Sequence, residues 1–143
     1  MRFTQAQVRE IIGLSEEKMR VWRKALPPLS GRTGHAPVFT LADMLALSMI
    51  LDLTDGYGAK VGHLTKVSPQ LFAVCDNAVA MGRFTSSVVL TPHEAKLLQP
   101  DDLRFAGPKS HFVAHVGAVV DRLRAALAII PDQIPLPLPE EGE

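Results

Sequence analysis

Val8, Ile11 and Ile12 recur at helical spacing behind Thr4, a residue suited to capping, and Gly13-Leu14-Ser15 interrupts the run. Ser15 then opens a second helix, predicted over Glu16 to Leu26, in which Met19, Trp22 and Leu26 form an apolar stripe. Glu16 and Glu17 stand at its positive end and Arg23 and Lys24 at its negative end, before Pro27-Pro28 stops it. Ser30 to Pro37 reads as a loop built on Gly31 and Gly34, leading into Val38-Phe39 as a short strand that closes a hairpin-like loop. Thr40 to Asp43 has the form of a capping box, and Met44, Leu45, Leu47, Met49, Ile50, Leu51 and Leu53 predict a deeply buried third helix ending at Asp55-Gly56-Tyr57-Gly58.

Beyond that point Lys60 to Val67 suggests a short fourth helix, and Ser68 as cap with Pro69 behind it starts a fifth that runs to Met81. Phe84 to Leu90 is β-rich, with Val88-Val89-Leu90 its best strand. Thr91-Pro92-His93-Glu94 is a capping box expected to open a short helix through Leu98. Residues 99–110 read as irregular, with Leu103-Arg104-Phe105 able to pair with the Val88 segment. Ser110 is expected to cap the last helix, where Phe112, Val116, Val119, Leu123, Ala126 and Ile130 follow a heptad seam. The tail, residues 131–143, is proline-rich and acidic and is expected to be extended.

Composition adds three constraints. At 143 residues the chain can build one core, or a small module plus a pairing element, and no apolar run approaches the roughly 18 residues of a membrane span. No leader is recognisable in MRFTQAQVREII, and a single Cys75 cannot form an intrachain disulfide, so a soluble cytoplasmic protein without a membrane partner is expected. Net charge is zero, but residues 1–40 hold seven cations against three anions, while residues 69–143 hold six against nine. The basic front of the chain therefore provides a footprint for phosphate that the total conceals.

A helix-turn-helix needs one helix to brace a second, which buries one stripe and turns polar side chains to the major groove. The Glu16 to Leu26 segment meets this: Lys18, Arg20, Arg23 and Lys24 lie off its apolar stripe, and Ser15, Glu16, Glu17, Lys18 and Arg20 occupy the end that enters the groove. Glu17 could accept hydrogen bonds from cytosine amino groups, although acids in a first turn are ordinarily capping residues. Trp22 falls on the stripe and is expected in the core.

Phe3-Thr4, Gly13-Leu14-Ser15, Met19-Arg20-Val21-Trp22, Arg32, and Phe39-Thr40 with Asp43 occur in an order and spacing that resembles the winged-helix head of MerR-type transcription regulators, over about the first 68 residues. The resemblance implies that Arg20 and Arg32 hold phosphates; the family's second wing arginine has no counterpart, and His35 with nearby backbone amides stands in its place. It also implies a homodimer through a long C-terminal helix, with residues 111–130 as the seam, binding an inverted repeat with half-sites about 34 Å or a multiple apart. The alternative for that seam is burial within its own chain.

The expected fold is mainly α: a winged helix-turn-helix over 1–68, a small α/β middle segment over 69–110, and a long dimerisation helix over 111–130. The expected function is a sequence-specific, DNA-binding transcription regulator, with Ser15, Glu17, Lys18, Arg20, Arg23, Lys24, Arg32 and His35 as its DNA-binding residues and double-stranded DNA as partner. The middle segment is read first as scaffold, with a small ligand or RNA polymerase as its other possible contacts. Competing functions are a phage or mobile-element DNA-processing protein of the small-terminase or excisionase kind, and a protein-interaction adaptor without DNA binding. No phosphate loop, GxSxG or Cys-His pair supports an enzyme, and no cofactor is expected. Cys75 reads as a core thiol, and His111 with His115, four apart on the expected helix, would make only an incomplete metal site.

Overall fold

Thr4 closes a full capping box at the start of helix α1 (Gln5–Ile12): its hydroxyl accepts from the Gln7 amide at 3.2 Å, and the Gln7 side chain accepts from the Thr4 amide at 2.9 Å. The computed structural model describes residues 2–105 and 111–129. Gly13 ends α1 with a φ of 89°, a left-handed conformation that costs glycine little, and the chain reverses before Ser15 caps helix α2 (Glu16–Ala25). The Ser15 hydroxyl accepts from the Lys18 amide at 3.0 Å. Val8 and Ile11 of α1 are buried together with Leu14 of the turn and Met19, Trp22 and Leu26 of the α2 stripe. Pro27 then leads straight into a 3-10 turn, Pro27–Leu29.

The strand expected at Val38-Phe39 is a single antiparallel bridge, and its partner is Phe3 at the front of the chain, joined by N–H to O contacts of 2.7 and 3.0 Å. No strand crosses the 30–37 loop among the described residues, so the hairpin read there is not formed. Burial decides the pairing, since both Phe3 and Phe39 are drawn fully into the core.

Helix α3 (Leu41–Leu51) is buried without interruption from Ala42 to Ile50, as befits a helix that is apolar all round. Its Thr40–Asp43 capping box is present as expected. Its end differs: the chain widens into a π-helical turn, Asp52–Gly56, before Tyr57 emerges at the surface. The helix expected over Lys60 to Val67 is only a 3-10 turn, Val61–Leu64. Helix α4 (Ser68–Ala80) begins without a side-chain cap, because Ser68 is buried and its hydroxyl donates to the Thr65 carbonyl at 2.9 Å.

Strands β1 (Ser87–Leu90), β2 (Ala95–Leu98) and β3 (Phe112–His115) form an antiparallel sheet in the order β2-β1-β3, with fully buried β1 at its centre. Two elements here overturn the expectations. Thr91 does accept from the Glu94 amide at 3.1 Å like a helix cap, but its own amide donates to the Glu94 carbonyl at 2.9 Å. That closes a hairpin loop, so residues 95–98 form a strand paired with β1 in place of a helix. Phe112 to His115 likewise forms a strand where a helix was expected, because buried β1 has backbone groups to satisfy on both edges. Leu103-Arg104-Phe105, the other candidate partner for β1, belongs to a 3-10 helix, Pro100–Phe105.

Helix α5 (Val116–Ile129) packs against α3 and α1 of its own chain. Val116, Val119, Val120, Leu123 and Leu127 are buried there, so the apolar stripe read as a dimer seam is covered from within. Phe112 of that seam lies in β3, and Ile130 and the capping role of Ser110 fall outside the described residues, as does the tail at 131–143. One apolar cluster runs from Phe3 to Leu127, and the stretches 1–68, 69–110 and 111–129 all contribute to it. The described chain is thus mainly helical with a small antiparallel sheet and a C-terminal helix. None of its described helices is long and apolar enough to cross a membrane.

The β3–α5 junction is tight. A Cβ on Gly117 would stand 2.6 Å from the Phe84 carbonyl oxygen, closer than side chains approach backbone. Gly117→Ala should therefore destabilise, with overpacking of about 1–3 kcal/mol exceeding the roughly 1 kcal/mol gained in helix propensity. A thermal melt checks this, and a raised midpoint would contradict the contact.

Candidate nucleic-acid interface

At 3.6 residues per turn, positions 17, 20, 21 and 24 of α2 fall within about 100° of its circumference, opposite the buried stripe. All four side chains, Glu17, Arg20, Val21 and Lys24, are exposed. Among the described residues Arg20 and Lys24 have no ion-pair partner, so two cations project unpaired from a face that also carries the Glu17 carboxylate.

The cations on the flanks of α2 are engaged instead. Arg23 donates to the Gln5 side-chain oxygen at 2.7 Å, which ties α2 to α1. Lys18 donates to both carboxylate oxygens of Asp55, at 2.9 and 3.1 Å, tying the other flank to the π-helical turn. These two side chains are 38% and 56% exposed, so their pairing is worth about 0–1 kcal/mol and Lys18 exchanges Asp55 for another anion at small cost. Thr65 adds a tie to the C-terminal end of α2, its hydroxyl donating to the Ala25 carbonyl at 2.7 Å. The helix is thus braced on both sides while its outer face stays open.

The remaining expected contacts are dispersed. Ser15 is exposed but its hydroxyl is used as the cap, and Glu16 and Glu17 are exposed in the first turn. His35 is exposed in the 30–37 loop. Arg32, expected to hold phosphate, donates to the buried carboxylate of Asp43 and sits over the Phe39 ring, 5.5 Å from its centroid. Its guanidinium anchors the loop to the start of α3. Asp43 was legible only as a capping residue; its second role depends on an arginine in a loop whose path local pattern does not reveal. Asp55 was legible only as part of a helix stop, and Val21 only as one position of the Met19-Arg20-Val21-Trp22 run.

The other groups with latent chemistry are quiet. Burial, followed by the nearby Asp76 and Asp43 carboxylates, pushes the Cys75 thiol far above its usual range, so it stays protonated. Asp76 is also raised, by desolvation and then by Asp43, with Arg32 opposing. His115 is in β3, its Nδ1 2.8 Å from the Ser87 hydroxyl, so the helical His111–His115 pair does not exist. Among the described residues no three His, Cys, Asp or Glu side chains converge as a metal site. A groove of about 680 Å³ runs beside Tyr57 and Phe112, apolar but for His63, His111 and Thr91. No protein-family model matches the chain, and no curated protein matches it significantly.

Proposed function

We propose that the chain binds double-stranded DNA through the outer face of α2, acting as the recognition helix of a MerR-like winged helix-turn-helix, and that it serves as a sequence-specific transcription regulator. The observation that carries this reading is α2 itself: buried along Met19, Trp22 and Leu26, braced by α1 across a turn at Gly13, and presenting Arg20 and Lys24 unpaired on its open side. Bracing on both flanks holds the helix at a fixed height, as insertion into a major groove requires. Arg20 and Lys24 serve as phosphate contacts, and Lys18 joins them by leaving Asp55. Arg32 contributes by fixing the loop that carries His35. Since the apolar stripe of α5 is covered within the chain, pairing through that helix is not part of the proposal.

Fluorescence anisotropy with duplex DNA over a range of salt tests the reading. Affinity should fall steeply with salt, and Arg20→Ala and Lys24→Ala should each weaken binding at every sequence and reduce the log–log salt slope by about 1. Salt-independent or undetectable binding would favour the adaptor function. Folded variants that bind like the parent would overturn the assignment of the face.

A further inference from the structure

We infer that Val21 reads the C5 methyl group of a thymine, making one position of the bound site specific for that base; this rests on the proposed docking of α2 in the major groove. Val21 is 50% exposed in the middle of α2, flanked on the same face by Glu17, Arg20 and Lys24. Nothing in the fold accounts for it. A β-branched residue is a poorer helix former than the charged residues around it, and at this exposure it contributes little to the core. Val21 also walls a shallow depression of about 380 Å³, shared with Trp22 and Val61 and rimmed by Ser15, Lys18 and Asp55. Val21 thus forms the apolar edge of the outer face, where that face borders the Lys18–Asp55 flank of α2.

The major groove offers a matching group. Thymine alone among the four bases presents a methyl there, whereas the others show only hydrogen-bonding edges. Valine can neither donate nor accept, so facing it with cytosine or a purine would strip water from a polar edge without replacing the hydrogen bond. Arg20 and Lys24, both on one side of Val21 around the helix, hold the backbone while Val21 discriminates, which separates affinity from specificity on one helix face.

The test uses the full chain and the duplex sequences it selects from a random pool. Each thymine of a selected site is replaced in turn by uracil, which keeps the base pairing and removes only the methyl. At one position the parent protein should lose about fourfold in affinity, the worth of one buried methyl. Val21→Ala, at an exposed position and checked for folding by circular dichroism, should lose a similar factor on thymine DNA and be indifferent to uracil there. Steep salt-dependent binding with no uracil effect, or a Val21→Ala variant as sensitive as the parent, would overturn the role of Val21 and leave the DNA-binding reading intact, whereas an absence of sequence selection would overturn both that role and the sequence-specific part of the proposed function. Failure to bind any duplex at low salt would overturn both.

Discussion

Trp22→Ala is expected to cost about 3–5 kcal/mol of stability, a large part of the roughly 5–15 kcal/mol that holds a domain of this size folded. Trp22 is 2% exposed and lies on the inner stripe of α2 with Met19 and Leu26, both fully buried. Deleting the indole removes a large apolar area from the packed core and leaves a cavity that its neighbours can only partly fill. A helix as short as α2, with 10 residues, has little tendency to form alone, so its place depends on this contact. Trp22→Phe keeps a ring in the site and should cost markedly less. Urea unfolding followed by far-ultraviolet circular dichroism is the measurement, because the only tryptophan of the chain is the one removed. Loss of DNA binding at unchanged stability would instead mean that the indole stacks on a base, contrary to its burial.

The burial of Trp22 was legible beforehand, and the reason extends to most of the first half of the chain. Caps and periodicity are local signals, and Thr4, Gly13, Ser15 and the Thr40–Asp43 box each do in the structure what their spacing announces. The second half is governed by pairing between distant segments. Thr91 to Glu94 satisfies the same hydrogen bond in a hairpin loop as in a helix cap, so only the partner strand separates the two. Phe112 to His115 continued a convincing helical period but is claimed by the free edge of β1. Periodicity in α5 reported a stripe without reporting what covers it, and α1 and α3 cover it. At the candidate interface, the cations were legible and their partners were not: Lys18 meets Asp55 and Arg32 meets Asp43 through tertiary approach alone.

Asp43→Ala is expected to cost about 2–4 kcal/mol, because one carboxylate performs two tasks. It is 5% exposed, accepts from the Thr40 amide at 2.8 Å to complete the cap of α3, and accepts from Arg32. Loss of the cap accounts for about 1 kcal/mol, and the remainder comes from leaving a guanidinium partly buried without its counter-charge. Arg32→Ala leaves the cap but strands the more deeply buried carboxylate, so its cost should be comparable, and in a double-mutant cycle the two changes should be clearly non-additive. The variants differ in what they do to DNA binding. Freed from Asp43, Arg32 gives the 30–37 loop, which also carries His35, an unpaired cation, so Asp43→Ala should keep or strengthen the salt-dependent part of binding under conditions where it remains folded. Arg32→Ala should instead weaken binding through loss of loop order, with little change in the salt slope, since its charge is already neutralised in the parent protein. Salt titrations of both variants decide the matter: a slope reduced by about 1 in Arg32→Ala would show that the arginine leaves Asp43 for a phosphate when DNA is bound.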